Sequence, residues 1–273
     1  MASTPAGKAA STEHGLVRSL IADPAFGPLR GLLLLLTVVT GVVDAVSILA
    51  LGRVFVANMT GNVVFAAFAV VGAPGFSLSA SLFALGGFLV GAYAGGLLIA
   101  RSGSDRGALL RAGTAAEVAL VAIALIIAAL SGCPGVTHGT AGLSGGSFGA
   151  AVTDAVAALL AGAMGVQNAA ARKLAVPDLT TTVLTMTLTG LGADLRAVFT
   201  TGGKAAKTAL GRRLLATATM IAGAAAGASL ALRVSPVAAL ALATALLAVA
   251  AIGTAAATRH PAAWRTPPPP AKP

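Results

Sequence analysis

Charged side chains are scarce in this sequence, and acids scarcer still. Asp, Glu, Lys and Arg make up 10% of its 273 residues, with 8 acids against 18 bases. A soluble domain is about a quarter charged, so this chain lacks the polar surface that water requires, and a soluble fold is excluded. Cysteine occurs once, at Cys133, which excludes an internal disulfide; no second Cys or His stands near it at metal-ligand spacing. The three histidines, His14, His138 and His260, lie outside the apolar segments and far apart. H-E-x-x-H, G-x-S-x-G and P-loop patterns are missing, as is a dinucleotide fingerprint after a strand-like run. No cofactor or metal is expected, and no enzyme activity. An intramembrane carboxylate enzyme has the least support of the functional readings.

What is present is overwhelmingly apolar: 57% of residues are hydrophobic, with a mean hydropathy of +0.92. This is the composition of an all-α integral membrane protein whose first partner is the lipid bilayer. The net charge of +10 orients helices against anionic headgroups, because the bases cluster beside apolar runs and no aromatic residues interleave them; nucleic acid is not expected as a partner.

A crossing helix needs about 20 mostly apolar residues. Six stretches meet that requirement, roughly 31–50, 78–100, 111–131, 149–171, 212–232 and 235–256. Two more polar stretches, 54–73 and 178–195, each follow an apolar segment after a tight connection. If all eight cross, 11 Lys and Arg fall on the side of the N-terminus and 7 on the other; if the two polar stretches return to the side they entered from, the division is 16 to 2. Bases concentrate on the cytoplasmic side, so the second arrangement is expected: six crossings plus two re-entrant or broken segments, in an inner membrane, with both termini cytoplasmic. Residues 1–29 form a cytoplasmic tail, 30–257 one transmembrane domain with halves at about 30–131 and 149–257, and 258–273 a disordered Pro-rich tail.

The halves resemble each other. "GVVDAV" at 41–46 matches "GVQNAA" at 165–170, setting Asp44 opposite Asn168, and "VANMTGNVV" at 56–64 matches "VPDLTTTVL" at 176–184. Asn58 then pairs with Asp178, Thr60 with Thr180 and Asn62 with Thr182. Each motif is followed by a helix with small residues four apart, Gly87, Gly91 and Gly95 in the first half and Gly223 and Gly227 in the second; such faces let helices approach closely. Three crossings per half give a pseudo-symmetric inverted 3+3 repeat, a recurring transporter design.

These motifs carry a family resemblance. Asp44-Ala45 after a glycine, the Phe-x-x-Asn-x-Thr-Gly-Asn run from Phe55 to Asn62, Gln167-Asn168-Ala169, and the Thr-rich stretch from Thr180 to Gly190 resemble the YoaK-like family of uncharacterised bacterial membrane proteins. The resemblance spans about residues 30–256 and implies a polytopic inner-membrane protein with about six helices; it carries no substrate.

Asp44 is the first candidate for chemistry. A carboxylate in a crossing helix costs at least about 2.5–3.5 kcal/mol on insertion scales, so it faces protein or a water-filled cavity. There it can carry a proton, bind a cation or pair with a positive substrate group; the structural alternative is an interhelical hydrogen bond or pairing with Arg53. Asn58, Thr60, Asn62, Thr180, Thr182 and Thr185 offer neutral donors and acceptors for a midplane site, or satisfy one another and their own helix backbone. Asn168 and Gln167 are the uncharged counterpart of the Asp44 region. Glu117 is a pathway-lining candidate. Asp178 and Asp194 lie near Arg172, Lys173 and Arg196, where rim ion pairs are expected, and Asp154 lies near an outer helix end.

The function expected is a secondary transporter or channel for a small polar solute or ion; the alternative is a non-transporting scaffold or accessory subunit, and self-association into a homo-oligomer is left open. The topology is directly testable. Single-cysteine variants at Arg101 and Arg196, in a Cys133→Ser background, should react with a membrane-impermeant maleimide from the same side of the bilayer. Labelling from opposite sides would overturn the arrangement.

Overall fold

Short polar residues, prolines and glycines punctuate the apolar runs, and the helices start and stop at them. The computed structural model describes residues 26–132, 148–176, 184–201 and 203–266. Among these the chain forms helices α1 (Leu29–Ala50), α2 (Met59–Val70), α3 (Leu78–Ser102), α4 (Arg106–Leu130), α5 (Ala150–Leu174), α6 (Leu184–Thr201), α7 (Lys204–Arg233) and α8 (Pro236–Ala257), then a 3-10 turn at Ala263–Arg265. The Ser77 hydroxyl accepts from the Ala80 N–H at the start of α3, the Asp105 carboxylate from Gly107 and Ala108 at the start of α4, and Ser235 from Ala238 at the start of α8, where Pro236 fills the first turn. The Asp105 cap explains why α4 begins about a turn before the expected residue 111.

Six helices are long and apolar enough to cross a membrane: α1, α3, α4, α5, α8 and the 206–233 part of α7. They match the six expected stretches. The 12 residues of α2 extend about 18 Å, well short of a hydrocarbon core of about 30 Å. Polar stretch 54–73 is therefore a non-helical run followed by a helix too short to span. In the second polar stretch, the 18-residue α6 is not apolar enough for a span, and residues 177–183 lie outside those described.

α1 and α5 lie innermost, each with most of its length buried. The most extensive helix contact joins α3 to α5 and the next joins α1 to α7; α4 packs on α5 and α8, α1 on α8, α2 on α3, and α6 on α7. Exchanging the first four helices for the last four maps this set of pairs onto itself.

The two largest contacts are built alike at the level of atoms. On α3, a Cβ at Gly91 would collide with the Gly162 carbonyl of α5, and one at Gly165 would meet Phe88, Gly91 and Ala92. On α7, a Cβ at Gly223 would collide with the Val38 carbonyl of α1, and one at Gly41 would meet Met220, Gly223 and Ala224. Gly87 abuts Ala158, Gly95 abuts Val166 and Ala169, and Gly227 abuts Val42 and Ala45. The backbones touch where side chains are missing, which yields the van der Waals contact that drives helix association in lipid. Large apolar residues divide between core and periphery: Leu33, Leu160 and Leu247 are buried, while Leu89, Val90 and Ile252 are each about two-thirds exposed.

One end of the bundle collects the bases. Phe26 lies between Arg30 and Arg106, with guanidinium carbons 5.1 and 5.4 Å from its ring. Arg213, near the start of α7, pairs with Asp194 at 2.8 Å, and an open cleft is lined by Asp105, Arg106 and Lys173. Residues 258–266, expected to belong to a disordered tail, fold back onto this end. Trp264 is buried against Gly27, and Arg265 pairs with Asp105. The Arg265 guanidinium hydrogen-bonded to Asp105 holds that carboxyl below the usual aspartate range. Its share in docking this segment is present at neutral pH and is lost as pH falls through the lowered value. At the other end lie Arg53, over Phe76 at 5.8 Å, and Asp154, which accepts from the Ser79 hydroxyl at 3.1 Å.

Gly91→Ala should destabilise the bundle by about 1–3 kcal/mol, the range for overpacking, seen as a lower thermal unfolding midpoint in detergent. Gly86, on the same helix, is the control, because a Cβ added there would have no neighbouring atom within 4 Å. Gly86→Ala should be neutral, or stabilising by up to about 1 kcal/mol.

Candidate functional site

The break between α1 and α2 is held by the polar residues that made this stretch conspicuous. Leaving α1, the chain reverses through two residues with positive φ, Gly52 at 75° and Arg53 at 58°, and runs back as a non-helical segment through Val54, Val56 and Ala57, which are buried. Non-helical backbone at membrane depth persists only where protein or trapped water satisfies its N–H and C=O groups. Asp44 lies beside this run, its carboxylate facing the backbone N–H groups of Val56 and Ala57. Asp44 lies six residues before the end of α1, about 9 Å along its axis, so the returning strand reaches that depth beside it. Asp44 Oδ1 is closed off from solvent and has no hydrogen-bond partner.

Asn62 satisfies Phe55. Its Oδ1 accepts from the Phe55 N–H at 2.8 Å and its Nδ2 donates to the Phe55 carbonyl, so the amide pairs with one residue of the returning strand on both sides. Gly61 is glycine for a steric reason: a Cβ there would stand 2.5 Å from the Phe55 ring. That ring stacks on Phe65 at 5.5 Å, and Phe65 contacts Phe76 at 5.0 Å. Asn62 is therefore engaged in holding the break, the structural alternative to a midplane site. Asn58, at the start of α2 without a side-chain cap bond, and Thr60 are both exposed. Arg53 lies over Phe76 while Asp44 faces backbone amides, so the structural partner expected for Asp44 is replaced by Val56 and Ala57.

In the second half, Asn168 Nδ2 donates to the Met164 carbonyl of its own helix at 2.9 Å. Asp178, Thr180 and Thr182 lie outside the described residues. Thr185 is exposed, and its carbonyl accepts from the Thr189 hydroxyl. The buried hydroxyls of Thr37, Thr40, Thr114 and Thr254 each donate to the carbonyl four residues earlier, the self-satisfaction anticipated for threonines in apolar helices.

A polar contact also ties α1 to α5 in the core. Gln167 Nε2 donates to Thr40 Oγ1 at 2.9 Å, and Thr40 approaches the Met164 sulfur at 3.8 Å. Glu117, on α4, is 1% exposed and its Oε2 has no partner. Because α2 packs on α3 and on no other described helix, the structure does not bring Asn58 and Thr60 to Glu117. Thr40 and the packing glycines Gly41 and Gly165 are additions to the residues singled out from sequence. The glycines were visible as the aligned first residues of the two matching motifs; Thr40 had no local signal.

Comparison with known proteins matches this architecture to a family. The family model described as "Protein of unknown function (DUF1275)" covers residues 32–253, from the first turn of α1 to near the end of α8. The chain belongs to this family. It is also similar to the UPF0700 transmembrane protein YoaK of Bacillus subtilis (strain 168), with 32% identity over 166 residues, 60% of this chain and 66% of that protein. The match thus spans slightly less than two thirds of that relative's length. No solved structure matches.

Asn62→Ala removes both bonds to Phe55 and leaves two buried backbone groups without partners, each costing about 1–3 kcal/mol. Amide hydrogen exchange across residues 52–62 should accelerate by at least about tenfold while α5 and α8 stay protected. Unchanged exchange there would show that Asn62 does not hold the break.

Proposed function

We propose that this polytopic membrane protein is a secondary transporter or channel for a small polar solute or ion. It would lie in the inner membrane with both termini cytoplasmic, and its halves would form an inverted repeat. The observation that carries this reading is the break beside Asp44: an acidic side chain at membrane depth, next to interrupted backbone and with one oxygen unpartnered. Interrupted helices of this kind supply ion and solute sites in inverted-repeat transporters. Support for the inversion comes from three long apolar helices in each half and from packing pairs that survive exchange of the halves. Support for the orientation comes from the bases gathered at one end.

In this mechanism Asp44 is the titratable or ion-binding group, and Asn168, its counterpart, has no charge to offer. The halves are then chemically unequal, with one active carboxylate flanked by a neutral twin. The alternative reading, a non-transporting scaffold or accessory subunit, draws on the bonds of Asn62 to the returning strand and on Asp44 facing it, which give both side chains structural work. Stable co-purification of a partner in mild detergent, without thermal stabilisation by any solute, would favour it.

Proteoliposomes enclosing a pH-sensitive dye, challenged with a panel of small polar solutes and inorganic cations, test the proposal. At least one solute should move with a dye response or a tracer flux above empty liposomes. In Asp44→Asn, which keeps an acceptor for Val56 and Ala57, that flux should fall by at least about tenfold, the scale of losing a proton-transferring group. An equally active variant would remove Asp44 from the mechanism.

A further inference from the structure

Glu117 is a carboxylate that neither the break nor the rim ion pairs account for. It is 1% exposed, at the contact of α4 with α5, and its Oε2 lacks a hydrogen-bond partner. Two contacts fix the register of these helices. A Cβ at Gly113 would lie 3.6 Å from Ala170 Cβ, and one at Gly162 would lie 3.8 Å from Leu120 Cδ1. Positions rise on α4 as they fall on α5, so the helices run antiparallel. Gly113, Glu117 and Leu120 share one face of α4, and Gly162, Val166 and Ala170 share one face of α5. Glu117 is therefore level with Val166 and Gln167.

Gln167 has a matching deficit. It is 1% exposed, its Nε2 is engaged with Thr40, and its Oε1 has no partner. Two acceptor oxygens, one on each helix and at one level of a sealed core, thus lack a donor.

No described cation faces them. α8 carries no titratable residue between Pro236 and Ala257. On α5, Asp154 bonds Ser79 near one end, and Arg172 and Lys173 are exposed at the other. On α3, Tyr93 is exposed and Arg101 sits in the last turn. On α4 itself, Arg106 stands at the helix start over Phe26 and Arg111 is exposed; Arg265 of the 3-10 turn pairs with Asp105. An uncompensated carboxylate at such depth is costly, and a metal cation would need several more oxygens than these two. One hydrogen meets both deficits, because a protonated carboxyl is a donor.

We infer that Glu117 is a proton-binding site inside the membrane, its carboxyl holding a proton and offering it to an acceptor oxygen across the α4–α5 contact, with Gln167 Oε1 the acceptor at that level. The inference stands on core packing and is independent of solute movement.

Infrared spectroscopy of the full-length protein in lipid at neutral pH reads the site directly. The wild-type minus Glu117→Gln difference should show the carbonyl band of a protonated carboxylic acid, lost in the variant, and Gln167→Leu should move that band to higher frequency by removing its acceptor. Replacing choline with Na⁺ should leave the band in place. A difference containing only ionised-carboxylate bands, or a band that Na⁺ abolishes, would overturn the inference. If Glu117→Gln does not fold, Glu117→Asp must shift the band, and an unshifted band would assign the proton elsewhere and equally overturn it.

Discussion

A backbone amide inside a bilayer must find its partner within the protein, and this constraint governs the whole chain. The six long helices meet it internally, each N–H bonding a carbonyl one turn back. The returning strand after α1 cannot, because it is not helical. Side chains serve it instead: the Asn62 amide takes both polar groups of Phe55, and the Asp44 carboxylate faces the N–H groups of Val56 and Ala57. Polar residues in an apolar run are thus explained first by the backbone they serve. What Asp44 retains after that service, an unpartnered Oδ1, is what makes it a candidate for chemistry.

The second organising feature is close approach without side chains. Gly41 against α7 and Gly165 against α3 let backbones touch at corresponding places in the two halves. The same positions of the matched motifs then diverge chemically, Asp44 in one half and Asn168 in the other. A fold that repeats its packing while breaking the symmetry of its charge has one place to hold a titrating group beside the break. Glu117 adds a second carboxylate on a helix outside the matched motifs, so Asp44 and Glu117 sit in long apolar helices in dissimilar settings.

Much of the fold was legible in the sequence because the bilayer imposes a length. Runs of about 20 apolar residues located all six long helices, and tight connections with uneven base counts singled out the 54–73 stretch as a break. Helix ends were less legible: α4 starts at Arg106 because Asp105 caps it, a local bond that periodicity does not display. The partner of Asn62 was not legible, because an amide in an apolar run signals a buried polar need without saying whose. The need belongs to Phe55, seven positions earlier, and appears only once the strand turns back. The bond between Thr40 and Gln167 joins residues 127 positions apart, and nothing in either local stretch announces it.

The aromatic cluster has a mechanical consequence. Phe55, Phe65, Phe68 and Phe76 interlock across the returning strand, α2 and the residues before α3, which ties these segments into one packed hairpin. Gly52 and Arg53 at one edge of it and Gly72 and Gly75 at the other all have positive φ. Any swing of the hairpin would pivot on those residues and would carry Val56 and Ala57 away from Asp44, uncovering the carboxylate as it went.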